Sequence, residues 1–189
     1  TPLLNSMMEL AEERAKHEIL LLVSSDVVLP SSTMEGVKAI SSKFKEFCGV
    51  ARKQQQEHIS LLDFSGEWEE VLRKDLKWNL ITSGDFFLYP KGYWDKIPDF
   101  VIGRAFCDSW LFFEASRKGN MVDMTNAIEI IDYKHSYNNL PVGWQKERLQ
   151  NFILWEGKDA DLTASNWVVE KNLSFRQLHH VEQLNDQPI

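Results

Sequence analysis

Three short segments and one aromatic-rich stretch carry the side chains that could do chemistry. The first is Ser24-Ser25-Asp26, directly after the apolar run 19–23. A carboxylate at the carboxyl end of a buried strand lies where open α/β sheets bind ligands. Beside two small hydroxyl residues it can ligate a hard divalent cation such as Mg²⁺ or Mn²⁺. The same triplet would also close a simple turn on its own backbone amides. The second is Asp108, early in an expected helix, where the helix dipole favours an ionised carboxylate. Near aromatic walls it could act as a general base with a tuned pKa, or simply start the helix. The third is Asp132-Tyr133-Lys134-His135, after another expected strand. An Asp and a His three apart can both reach one ion, although a lone His is more often structural. The aromatic stretch is residues 86–113, which hold ten of the chain's 22 aromatic residues. Most of these must be core, and one or two could wall a small-molecule pocket.

These groups need elements to hold them. Residues 2–17 read as an amphipathic helix with Thr1 as its cap, Pro2 in its first turn and Leu3, Leu4, Met7, Leu10, Ala11 and Ala15 on one side. Residues 18–23 read as a strand buried on both faces and therefore parallel. Ser32 and Glu35 have capping-box spacing for a helix to about residue 47, with Met34, Val37, Ile40, Phe44 and Phe47 inward. A strand near 49–53 follows. The spacing then predicts a helix over 66–76 capped by Ser65, a strand over 85–89 and a helix over 104–118. Phe86 and Phe87 point to opposite faces of their strand, so both faces should be covered. Phe106, Trp110 and Phe113 are expected on one helix face. Strand character over 121–132 is broken near Asn126, and a helix runs over 143–155. This alternation argues for an α/β sheet with crossover helices. No linker or repeat divides residues 1–189, so a single domain is expected.

Composition narrows the classes. The chain has 189 residues, 43% hydrophobic and 26% charged, with a net charge of −7. It has no dense Lys/Arg cluster of the kind nucleic-acid binding needs. Its longest apolar runs are far too short to span a bilayer. Two cysteines, Cys48 and Cys107, cannot make a disulfide framework or a cysteine zinc site. The chain opens at the edge of an element, so an upstream segment or companion chain is expected. A sequon at Asn172-Leu173-Ser174 is compatible with a Golgi lumen, but the sequence does not choose between that and the cytoplasm.

The order of the motifs is more telling than any one of them. Ser24-Ser25-Asp26, the segment from Ser83 to Gly92, the segment from Ile97 to Leu111, and Val122-Asp123-Met124-Thr125 leading to His135-Ser136-Tyr137 occur in sequence. Together they resemble the nucleotide-diphospho-sugar transferases, a glycosyltransferase family 2-like group with the GT-A fold. The resemblance runs from residue 1 to about residue 167. It implies a GT-A, Rossmann-like mixed sheet flanked by helices, here without its N-terminal nucleotide-binding strands, so that the chain would be the C-terminal two-thirds of such a domain. It implies metal-dependent, inverting transfer of a sugar from a nucleotide sugar to a hydroxyl acceptor such as a glycan, a glycolipid or a small molecule. Mn²⁺ or Mg²⁺ would be held by Asp26, His135 and Asp132. Ser24, Ser25 and Asp26 would face the donor, Asp108 would be the catalytic base, and Asp85, Phe86, Trp110 and Arg104 would bind the acceptor. Ser24 stands where the family has its first metal-binding carboxylate, and Asp132 stands where another His is expected. Two other readings compete. One is a noncatalytic relative that binds a sugar or a partner, and the other is a metal-dependent hydrolase using the same carboxylates.

Overall fold

A computed structural model describes residues 1–56, 63–64, 66–74, 77–78, 84–133 and 142–178. In chain order these form α1 (Leu4–Arg14), β1 (Ile19–Val23), β2 (Val27–Val28), α2 (Ser32–Lys43), β3 (Cys48–Val50), β4 (Gln54–Gln56), α3 (Trp68–Arg73) and β5 (Lys77–Trp78). They continue with β6 (Phe86–Pro90), α4 (Cys107–Arg117), β7 (Met121–Asp123), β8 (Ile131–Tyr133), α5 (Trp144–Trp155), β9 (Trp167–Val169) and β10 (Phe175–Gln177). The larger sheet has the order β1-β6-β3-β7-β9-β10. Its β3–β7 and β7–β9 pairs are parallel, and its other pairs are antiparallel. The smaller sheet has the order β2-β8-β4-β5. β2, β4 and β8 follow β1, β3 and β7 after short breaks in the chain, so the two sheets meet at residues 24–26, 51–53 and 124–130.

β6 organises the core. Its side chains alternate, so Phe87 and Tyr89 enter one cluster with Leu4, Met8, Trp110, Leu111 and Phe112. Phe86 and Leu88 enter the other with Ile40, Phe47, Val122 and Met124. Both faces of the strand are covered, as expected. Each buried aromatic of this strand contributes about 1.5–3 kcal/mol through burial. The fold is therefore α/β, with a mixed sheet flanked by helices.

Several local expectations are corrected. Among the described residues β1 pairs with β6 alone, antiparallel, with Ile19 opposite Pro90 and Val23 opposite Phe86. It is an edge strand, and only Leu20 is buried. Its unbroken apolar run reflects two half-covered faces, not a central parallel position. α1 starts at Leu4, with Leu4 and Met8 buried, while Met7 and Leu10 are exposed. Only a narrow stripe meets the core, because Leu4 N–H donates to Phe100 O and sets the helix rotation. The Ser32–Glu35 capping box does not form, since Ser32 Oγ instead accepts from Glu129 N–H. α2 buries Thr33, Gly36 and Ile40 and exposes Met34. It turns this face inward because Gly36 lies against Ile128, where a Cβ would collide with the isoleucine methyl. Ser65 lies outside the described residues.

The start of α4 is set by α5. Asn151 is fully buried in mid-helix. Its side-chain oxygen accepts from Val101 N–H at 2.7 Å, and its amide donates to Val101 O at 3.0 Å and Ala105 O at 3.1 Å. Phe106 then adopts φ 85, left-handed and strained for a bulky residue, and its ring packs against Phe152 and Trp155. The helix therefore begins at Cys107, and Phe106 stands outside it. The inward side chains are Trp110, Leu111, Phe112 and Ala115, not a Phe106–Trp110–Phe113 face.

Candidate functional site

The carboxyl ends of β1 and β3 and the amino end of β6 share one edge of the larger sheet, because β6 runs antiparallel to both. Ser24, Lys53 and Asp85 follow from that arrangement. Asp132 reaches them from β8, whose Asp132 is opposite Gln55 of β4 in the smaller sheet. Lys53 Nζ lies 2.7 Å from Asp85 Oδ2 and 2.7 Å from Asp132 Oδ2. Ser24 Oγ donates to Asp85 Oδ1 at 2.7 Å, and Ser24 N–H donates to Asp85 O at 3.1 Å. The cluster is mostly desolvated: the Lys53 side chain is 10% exposed and that of Asp132 4%. Burial pulls the Lys53 pKa down, but hydrogen bonds from its ammonium to Asp132 and Asp85, together with their charges, outweigh this and raise it. Asp132 Oδ1 is buried with no hydrogen-bond partner.

Asp108 packs against this edge. A Cβ added at Gly84 would collide with Asp108 Cβ and stand 3.2 Å from its Cα, so only glycine allows the helix to come this close. The Asp108 carboxylate is half-buried in the first turn of α4 and takes part in no hydrogen bond or ion pair among the described residues. Gly84 adjoins Asp85 in the chain, so the expected base and an expected acceptor ligand are brought to one edge.

Other expected site residues lie elsewhere. Asp26 is half-buried in the short turn between β1 and β2, and Ser25 is exposed. His135 lies outside the described residues. Phe86 is 1% exposed and packs with Ile40 and Phe47, so it serves the core and faces no ligand surface. Arg104 is bound to Glu147, with Nε 2.7 Å from Oε2, and its side chain is 7% exposed. It braces the loop before α4 against α5. Trp110 is two residues after Asp108, which is about 200° round a helix, so the two face different surfaces. Trp110 lines a separate cleft of about 530 Å³ together with Trp94.

The metal expectation meets a specific obstacle. Asp132 was expected to hold a divalent ion, but the Lys53 ammonium already sits between Asp132 and Asp85, where a cation would bind. Among the described residues no three His, Cys, Asp or Glu side chains come together as a cation site. Asp132 and Asp85, joined by Lys53, do not fit the implied ion, and His135 lies outside the described residues. Lys53 and Asn151 were not singled out from the sequence. A lysine three residues beyond a buried strand end, and an asparagine in mid-helix, were the signals available. No helix among the described residues is long and apolar enough to cross a membrane. No protein-family model, curated protein or solved structure matches the chain.

Proposed function

We propose that this chain is part of a GT-A-type glycosyltransferase that moves a sugar from a nucleotide sugar to an acceptor hydroxyl with inversion. The observation that carries this reading is the seat of Asp108 against Gly84, beside Asp85 at the sheet edge. Asp108 sits in the first turn of α4, near the positive end of the helix dipole, with no hydrogen bond or ion pair to its carboxylate among the described residues. It would accept the proton of the acceptor hydroxyl as that oxygen bonds to the anomeric carbon. The bond from that carbon to the diphosphate breaks in the same step, and the nucleoside diphosphate leaves on the opposite face. Lys53 and Ser24 hold Asp85 in one orientation, so that edge is preorganised before a ligand arrives. Ser24, Ser25 and Asp26 would face the donor.

A second reading is favoured by Lys53 itself. Its ammonium pairs with Asp85 and Asp132 from within the protein, as a structural cluster would in a noncatalytic sugar- or partner-binding relative. Release of nucleoside diphosphate from a panel of nucleotide sugars, with and without a hydroxyl acceptor, separates these readings. Acceptor-dependent release should fall by about a thousandfold in Asp108→Asn, the scale of a lost general base. Release that ignores the acceptor would point to a hydrolase, and no release from any donor would favour the noncatalytic reading.

A further inference from the structure

The cleft beside Trp94 and Trp110 lies apart from the Asp108 edge. Its walls come from residues 94–99 after β6, from Trp110, Glu114 and Arg117 of α4 and from the end of α5, and none of Ser24, Lys53, Asp85, Asp108 or Asp132 lines it. About 530 Å³ is within the range of small-ligand sites. Its lining carries as many acidic as basic side chains. Three pairs of these are already joined: Lys118 with Asp95 at 3.1 Å, Arg117 with Glu114 at 2.6 Å and Lys158 with Glu156 at 3.1 Å. Lys118 also donates to Tyr93 O, which ties the end of α4 to the wall opposite. A cleft whose charges balance and pair internally offers little field to steer a charged ligand. It still presents many donors and acceptors.

The floor adds a second observation. Trp94 is 9% exposed and Trp110 is 5% exposed, and both line the cleft. The indole N–H of each is buried without an acceptor. An indole N–H only donates, and leaving it unpaired is costly. Those N–H groups lie below the cleft surface, so the occupant that suits this lining is uncharged, with apolar ring faces for the tryptophan floor and hydroxyls that both donate and accept for the rim. We infer that this cleft binds a neutral saccharide, at a site separate from the edge that carries Asp108.

The inference does not rest on the transferase reading, and Asp108→Asn should leave this binding unchanged. The test is a titration of the ¹⁵N-labelled chain, following the indole N–H signals assigned through Trp94→Phe and Trp110→Phe. The probes are maltotriose, triacetylchitotriose, the cationic chitotriose and the anionic trigalacturonate. The Trp94 and Trp110 signals should move with a neutral trisaccharide, and the charged probes should bind at least about tenfold more weakly, a difference of about 1.4 kcal/mol. Lys96→Ala and Glu156→Gln, both at exposed rim positions, should each weaken neutral binding by about tenfold, as expected for losing a hydrogen bond to a charged group. The inference fails if neither neutral probe moves these signals, if a charged probe binds more tightly, or if both rim variants bind as the wild type does.

Discussion

Lys53 with its two aspartates and the ion pairs round the Trp94–Trp110 cleft use similar chemistry in opposite surroundings. In the first, side-chain exposures are 10% for Lys53, 22% for Asp85 and 4% for Asp132. In the second, one member of each pair is well exposed, Arg117 at 61%, Asp95 at 82% and Glu156 at 66%, against partners at 14–34%. A buried charge cluster holds only while all its members remain, because water cannot replace a missing partner. Exposed pairs trade protein partners for water at almost no cost. The same residue types therefore lock a sheet edge in one place and leave an adaptable rim in the other.

The sharpest way to break this contrast is Lys53→Met. It removes the ammonium that lies between Asp85 and Asp132, and should destabilise the fold by about 3 kcal/mol in urea unfolding. Adding Asp132→Asn to that variant should recover part of the loss, since one uncompensated charge is gone. No recovery would mean that Lys53 acts through packing alone.

Gly84→Ala tests how tightly the same edge is closed. The new methyl must displace Asp108 and the start of α4, at a cost of about 2 kcal/mol by overpacking. Acceptor-dependent activity should fall further than stability does. If both are unchanged, Asp108 is not held where the structure places it.

Alkaline titration gives a smaller signal. The folded pKa of Lys53 is raised, so its contribution is fully present below the unfolded lysine value of about 10.4. It is lost as pH climbs from there through the raised folded value. The stability gap between wild type and Lys53→Met should therefore be flat at neutral pH and narrow only above about pH 10.4. A gap that closes near neutrality would contradict the ion cluster.

The smallest change is expected from Lys158→Gln, which breaks an exposed pair at the cleft rim. Unfolding stability should move by no more than about 0.5 kcal/mol. A loss as large as that of Lys53→Met would erase the distinction between the two regions.

Much of the element order was legible, because hydrophobic periodicity and glycine or proline punctuation act locally. The alternation of Phe86 and Phe87 placed β6 between two cores, and Gly119 and Gly157 mark helix ends within two residues of where they occur. Less legible was which side of a helix meets the core. Met7, Leu10 and Met34 continue apolar patterns yet are exposed, because a backbone bond at Leu4 and a close approach at Gly36 set the rotations instead. The site was legible only as separate carboxylates. Asp85 and Asp108 were named as candidates, but nothing local said that Gly84 would bring them to one edge.

The sequence alone determined the α/β alternation, an aromatic strand covered on both faces and the absence of a dense Lys/Arg cluster along the chain, since each depends on composition or on neighbours within a few residues. Only the tertiary structure decided that β1 is an antiparallel edge strand, that Asn151 sets the start of α4, and that Trp110 and Asp108 serve different surfaces. It also placed Lys53 between Asp85 and Asp132, residues 32 and 79 positions further along the chain. Charges so distant in sequence are paired by the path of the strands that carry them, and one chain's local pattern holds no record of that path.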